Sequence, residues 1–257
     1  MSKSLQVAFL SLVSLALASG ASASTVTLGS YGSNANSTGY TESGFSNTAL
    51  QFTGTSALNS GWATKLVALT TPSNSSSPKT SYDTSDGGIW TAAITGTSWV
   101  TNTAGAGPKC SGGSCDADDF YYYETTFTAA AGQYNGSLSV MADDTAEVIL
   151  DPGTVNQQVL VNFGAIGDDS KCSIGVPNCV DIDTISLNGT LLSAGTNTLE
   201  IIDAQTGGSG AGVDFSARLN TAPAPEPGSL LLLGTGLLGL AYGLFRKNKA
   251  VGLVLNS

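Results

Sequence analysis

Residues Gly228 to Phe245 form an unbroken stretch without a charge, and this stretch limits the chain more than any other segment. At about 18 residues it sits near the lower bound for crossing the hydrocarbon core of a bilayer. A segment placed in lipid must satisfy its own backbone hydrogen bonds, so the form open to it is a helix. Leu230–Leu233, Leu237, Leu238, Leu240, Leu244 and Phe245 give it an apolar surface, and Gly234, Gly236, Gly239 and Gly243 give it a small-residue face that permits close helix approach. Arg246, Lys247 and Lys249 follow at once and predict a cytoplasmic C-terminus for the tail 246–257. On the other side lies a short, stiff spacer, 221–227, with prolines at 225 and 227 that lack amide protons.

The order of these parts carries a resemblance. Pro225, Glu226 and Pro227, then Gly-Ser and the Leu/Gly helix, then basic residues, resemble the PEP-CTERM sorting signal of exported bacterial proteins. The resemblance covers about 30 residues. It implies recognition by an exosortase, cleavage near the motif, and a bacterium that exports extracellular polysaccharide. The chain departs from the pattern by continuing past the basic residues with Ala250–Ser257.

The N-terminus matches this export reading. Lys3 precedes the apolar run Leu5–Ala18, and Ala21-Ser22-Ala23 has the small residues of a signal-peptidase site. The expectation is a signal peptide over 1–23, cut after Ala23. The precursor then sits in the inner membrane by its C-terminus until it is sorted to the cell surface or extracellular matrix.

The exported part, about 200 residues from Ser24 to Ala222, is long enough for one domain with its own core. Four of the nine basic residues are Lys3, Arg246, Lys247 and Lys249, which leaves five in the exported part, while the chain has 19 acidic residues. With no basic patch to hold phosphates, nucleic-acid binding is excluded. The chain has no histidine, so no Ser-His-Asp or Cys-His relay can form. No glycosidase signature is present, and the domain is read as non-catalytic.

Cys110, Cys115, Cys172 and Cys179 are an even set in an oxidising compartment, and they read as two local disulfides, 110–115 and 172–179, each stapling a Gly/Ser/Pro-rich surface loop. Loops this short remove little unfolded-state entropy. Zinc is a poor fit, since the cysteines are not in paired Cys-x-x-Cys spacing.

Along the exported part, short runs of strand-type residues alternate with turn residues. Strands are expected at Thr25–Leu28, Thr64–Thr70, Gly88–Thr95, Ser98–Thr101, Asp119–Phe127, Ser137–Ala142, Ala146–Leu150, Val159–Phe163, Thr184–Leu187, Thr198–Asp203 and Val213–Leu219. Asp151-Pro152-Gly153 reads as a turn and Asn188-Gly189 as a hairpin tip. The pattern predicts an all-β domain over 24–220, a jelly-roll-like β-sandwich. The strand over Tyr121–Phe127, Ala142-Asp143-Asp144 with Ala146–Leu150, Ala194–Leu199, and Gly212–Phe215 together resemble galactose-binding-like and carbohydrate-binding sandwiches of exported bacterial proteins, over roughly 85–220.

Two functions follow as expectations. The first is a non-catalytic surface or matrix protein associated with exopolysaccharide and biofilm. The second is a calcium-assisted, lectin-like carbohydrate-binding module. For the second, Asp143 and Asp144 would hold Ca²⁺ as hard oxygen donors, with Asp118, Asp119 or Asp214 completing the shell. Trp62, Trp90, Trp99 and the Tyr121–Tyr123 run would stack on sugar rings. The bland counterparts are turn-capping for the aspartates and core packing for the aromatics. Apart from Ca²⁺, no cofactor is expected; the expected partners are an exosortase, the inner membrane and extracellular polysaccharide.

Overall fold

A computed structural model describes residues 24–33, 44–58, 78–108, 116–165, 172, 175–208, 210–221 and 234–242. Cys110, Cys115, Trp62, the expected strand at Thr64–Thr70, the signal peptide and the Pro225–Pro227 motif lie outside these residues.

Among the described residues, twelve strands form the Ser24–Ala222 unit. They are β1 (Thr25–Gly29), β2 (Gln51–Ala57), β3 (Lys79–Thr80), β4 (Tyr82–Thr84), β5 (Trp99–Thr101), β6 (Asp119–Ala129), β7 (Gly132–Asp143), β8 (Thr145–Leu150), β9 (Gln158–Val161), β10 (Asp183–Leu192), β11 (Gly195–Ala204) and β12 (Gly212–Thr221). One six-stranded sheet runs β10-β7-β12-β5-β4, with β1 also paired to β12; the other runs β3-β2-β6-β11-β8-β9. All pairs between named strands are antiparallel. The two sheets form a sandwich, as the turn spacing predicted.

Period-two alternation builds the core. Tyr121, Tyr123 and Phe127 of β6, Leu199 and Ile201 of β11 and Val148 and Leu150 of β8 meet Leu138, Val140, Val213, Phe215 and Leu219 of β7 and β12. The alternate positions are covered as well. Phe120, Tyr122, Ile149 and Ile202 make a second apolar cluster with Val159 and Phe163. Trp90, Trp99, Met141, Cys172 and Cys179 make a third. The strands are thus clothed on both faces, which is why so much of β6, β8 and β11 is buried.

Several expectations change. Gly88–Thr95 is not a strand; a turn at its start, where Asp86 Oδ1 accepts from the Gly88 amide at 2.9 Å, leads into an irregular stretch over 91–94. Asn188-Gly189 is no hairpin tip. It lies inside β10, where the pairing with β7 shifts between Leu187 and Thr190 and Gly189 takes φ 72°, so the positive-φ glycine serves a bulge. Asp143-Asp144-Thr145 joins two consecutive strands that do not pair with each other. β7 and β8 belong to different sheets, and the segment carries the chain from one to the other across a cis Asp143–Asp144 peptide bond. Asp151-Pro152-Gly153 is the expected turn, with Gly153 at φ 71° and β8 pairing β9 beyond it. Strands β2, β3 and β4 were not anticipated. Of the tail, residues 234–242 are helical; among the described residues no helix is long and apolar enough to cross a membrane.

Candidate functional site

Of the acidic residues singled out in the sequence, Asp143, Asp144, Asp118 and Asp119 lie where β7 crosses to β8, β11 ends and β12 begins. Asp143 closes β7 opposite Gly212, and the Asp144 amide donates to the Ala204 carbonyl at 3.2 Å. Asp203, the penultimate residue of β11, lies opposite Ala146 of β8 and Tyr121 of β6. Its parity is that of Leu199 and Ile201, so its carboxylate enters the core side of the sheet. The segment before β6 brings Asp116 to the same end: its Oδ2 accepts from the Ala211 amide at 2.8 Å and its Oδ1 from Asn102 Nδ2 at 3.3 Å.

Asp143 and Asp144 are buried, 2% and 3% exposed. Asp143 Oδ2 accepts from the Trp90 indole at 2.7 Å. The Trp90 ring is pressed over Gly212, where a Cβ would overlap it, and lies 4.4 Å from the Trp99 ring centroid. Burial pushes the Asp143 carboxyl up to about 8, against the Trp90 hydrogen bond and with help from the Asp144 charge. Asp144 Oδ2 accepts from the Thr206 amide at 2.7 Å and from the Thr206 hydroxyl. It too is raised by burial, as is Asp116.

Asp118 and Asp119 stand at the rim. Asp118 Oδ1 accepts from the Gly208 amide at 3.1 Å, and the Asp119 carbonyl accepts from the Gln205 amide. Asp214 does not join the pair. It is held by Ser30 Oγ at 2.6 Å, Thr97 Oγ1 at 2.5 Å and the Ile94 amide at 2.7 Å. Trp90 and Trp99 lie inside the third cluster and Tyr121–Tyr123 are buried, so none of the described aromatics singled out for sugar stacking is a surface platform.

Cys172 and Cys179 are disulfide-bonded, as local pairing predicted. Contrary to the expectation of a surface staple, both are buried, against Trp90, Trp99 and Met141. Their sulfurs and an Asp143 oxygen lie within 4.8 Å of one another. With the sulfurs bonded to each other they offer no thiolate, so this trio is not a soft-metal site.

The sequence reading missed Asp203, Asp116, Asn102 and two glutamates. Glu147 of β8 and Glu200 of β11 share the outer face with the second cluster, and burial raises each to about 7, with Glu124 adding to the rise at Glu200. Asp203 had a legible signal, an acid at a core-parity position in Leu199-Glu-Ile-Ile-Asp203. Asp116 and Asn102 had none, because only the chain's path brings them there. Separately, Glu124, Asp151, Pro152, Thr154, Asn156, Ser193, Thr196 and Thr198 line an open polar groove of about 330 Å³.

Comparison with known proteins gives one family match. Residues 223–247 match the model of the PEP-CTERM protein-sorting motif. The match marks an exported protein with a C-terminal sorting signal, membrane-anchored before cleavage. No curated protein matches the chain. Among solved structures, the GH26-CBM35 β-(1,4)-mannanase of Podospora anserina is 17% identical with TM-score 0.28, over 56% of this chain and 26% of that one. A cycloalternan-forming enzyme of Listeria monocytogenes is 18% identical with TM-score 0.27, over 55% of this chain and 11% of that one. A family 35 carbohydrate binding module of Clostridium thermocellum is 9% identical with TM-score 0.25, over 44% of this chain and 86% of that one. The chain therefore spans about a quarter of the mannanase and about a tenth of the Listeria enzyme.

Proposed function

We propose that the Ser24–Ala222 sandwich is a non-catalytic component of the cell surface or extracellular matrix, delivered there by exosortase sorting and associated with exported polysaccharide. The observation that carries this reading is the sorting motif at 223–247, behind a separate compact β unit. The signal peptide over 1–23 delivers the precursor, the apolar stretch Gly228–Phe245 and the basic residues Arg246, Lys247 and Lys249 hold it at the inner membrane, and Pro225-Glu226-Pro227 marks it for cleavage. The test is to follow the full-length chain in its host beside a variant with Pro225, Glu226 and Pro227 all changed to alanine. The expected result is a shortened wild-type product in the surface or matrix fraction and a full-length variant retained in the membrane. A wild-type chain that stays full-length in the membrane would overturn the reading.

The polar groove favours a second reading, a carbohydrate-binding module. Carboxylate, amide and hydroxyl groups from Glu124, Asp151, Asn156, Ser193, Thr196 and Thr198 are the donors and acceptors that sugar hydroxyls pair with. In this reading the contact lies in the groove. Asp143 and Asp144 are too deeply buried for an ion they held to reach a sugar as well. Retention of the full-length chain on the host's own exopolysaccharide, abolished by Glu124→Ala with Thr196→Ala, supports it. No retention sinks it and leaves the surface-component reading standing.

A further inference from the structure

We infer that the polar groove beside the β8–β9 turn takes an amino sugar with a free amine, and that Glu124 receives its ammonium group. The inference rests on the carbohydrate-binding reading and narrows it to a cationic glycan.

One sheet face and two chain connections build the groove. Strand β11 pairs with β6, which sets Glu200 opposite Glu124 and Thr198 opposite Thr126. Alternation puts Thr196, Thr198 and Glu200 on one face of β11, away from the core side of Leu199 and Ile201. The turn that starts at Asp151 forms one wall, and Ser193, between β10 and β11, stands at the other. Hydrogen bonds fix both walls. Asp151 Oδ1 accepts from the Thr198 amide at 2.8 Å, and Asn156 Nδ2 donates to Ser193 Oγ at 3.1 Å. Just past the turn, the Gln158 carboxamide donates to the Leu191 carbonyl at 2.8 Å and accepts from the Leu191 amide at 3.2 Å. The groove is therefore formed without a ligand, as binding sites usually are.

Its charge is one-sided. Glu124 and Asp151 line it, and no lysine or arginine does. The cations among the described residues of the Ser24–Ala222 unit lie elsewhere. Lys79 holds its Nζ 5.2 Å over the Phe52 ring, and Arg218 belongs to β12 of the other sheet. Behind Glu124 stands Glu200, 6% exposed and hydrogen-bonded to it. Burial first, and the Glu124 charge second, raise the Glu200 carboxyl to about 7. Two acids directly opposite each other on paired strands repel. An ammonium group offsets that repulsion and donates charge-assisted hydrogen bonds to the carboxylates. A uronic acid or a sulfated sugar would bring a further negative charge, and a neutral sugar would leave the repulsion in place.

The rest of the lining favours a sugar over a basic peptide. Thr154, Asn156, Ser193, Thr196 and Thr198 offer groups that both donate and accept, as ring hydroxyls do. Pro152 is the one apolar residue there, so the long stem of a lysine finds little to pack against.

The test is calorimetric titration of the full-length chain in detergent, at about pH 6, where such an amine carries its proton. The ligands are a glucosamine tetrasaccharide with free amines, its fully N-acetylated form, a galacturonic acid tetrasaccharide and tetralysine. The free-amine sugar should bind at least about tenfold more tightly than the acetylated one, and the uronate should not bind. Glu124→Gln should remove that advantage. Asp181→Asn, the same charge change at an exposed acid outside the groove, should keep it. If the acetylated or uronic sugar binds as tightly as the free-amine one, the carbohydrate-binding reading stands and this inference is overturned. If none of the three sugars binds, both fall. Tetralysine binding as tightly as the amino sugar, an advantage that survives Glu124→Gln, or one lost equally in Asp181→Asn shows general charge attraction and overturns the inference.

Discussion

Asp214 and Asp203 are both removed from solvent, in β12 and β11, and their surroundings treat them in opposite ways. Around Asp214 the chain has provided two hydroxyls, Ser30 and Thr97, and the Ile94 amide, so the carboxylate pins β1, the turns before β5 and β12 to one another. Its carboxyl is still raised by burial, with those donors pulling the other way. Around Asp203 there are further acids, the Gly212 amide lies nearby, and neither carboxylate oxygen has a hydrogen-bond partner. Satisfying donors make a buried carboxylate a structural tie, whereas their absence makes burial hold the proton on it and leaves it a cost to the fold.

The largest effect that follows concerns Asp214. Asp214→Ala should leave the part-buried Ile94 amide without its acceptor, at about 1–3 kcal/mol, and take one bond each from Ser30 and Thr97, at about 0.5–1.5 kcal/mol apiece since their hydroxyls keep the Phe215 and Ile94 carbonyls, so a net loss of about 2–5 kcal/mol is expected. Urea denaturation of the variant against the wild type measures it. A loss below about 1 kcal/mol would break the comparison at its structural side, since Asp214 would then be no better placed than Asp203.

Next in size is Asp203. Replacing a buried group that has no partners relieves the folded state more than it harms it. Asp203→Asn should therefore be as stable as the wild type or up to about 2 kcal/mol more stable at neutral pH. The same denaturation series reads it. A variant destabilised as much as Asp214→Ala would make Asp203 an ordinary structural residue like Asp214.

The difference between these two aspartates also shows what could be read from the chain. The sandwich was legible because Phe120–Phe127, Ala146–Leu150 and Thr198–Asp203 alternate with period two and are bounded by turn residues. The Asp151-Pro152-Gly153 turn and the 172–179 pairing were legible for the same local reasons. Strand β2, Gln51–Ala57, was not, because Gln-Phe-Thr-Gly-Thr-Ser-Ala has little apolar alternation and is held by its pairing with β6. Asn188-Gly189 misled, because the dipeptide that suits a hairpin also suits a bulge and only the β7 pairing decides between them. The Asp143-Asp144 pair could be seen from the sequence, but its companions could not. Asp214 looked equally eligible until Ser30, 184 residues earlier, was seen to hold it. Asp116 belongs to the cluster because the chain ahead of β6 folds back to Ala211, a contact of separation 95 that no local pattern encodes.

The smallest expected effect lies on the other face of the second sheet, and it asks whether the contrast extends to the acids there. Glu147 of β8 is buried with neither oxygen hydrogen-bonded, and Glu200 of β11 lies on the same face beside Glu124. Desolvation raises both to about 7 from an ordinary value of 4.5. In the folded chain they hold their protons more tightly than in the unfolded one, so their contribution to stability is fully present below about 4.5. It is lost progressively as the pH rises from about 4.5 through about 7, and is flat above that. The denaturation midpoint should accordingly fall across this window, and Glu147→Gln should make the fall shallower without shifting its position. In Glu147→Gln the remaining slope belongs to Glu200 and to the aspartates at the far end of the sheet. A wild-type midpoint that rises from pH 5 to 7 would mean that paired carboxylates of the Asp214 kind govern the domain's acid response, and that the unpartnered acids are tolerated rather than felt.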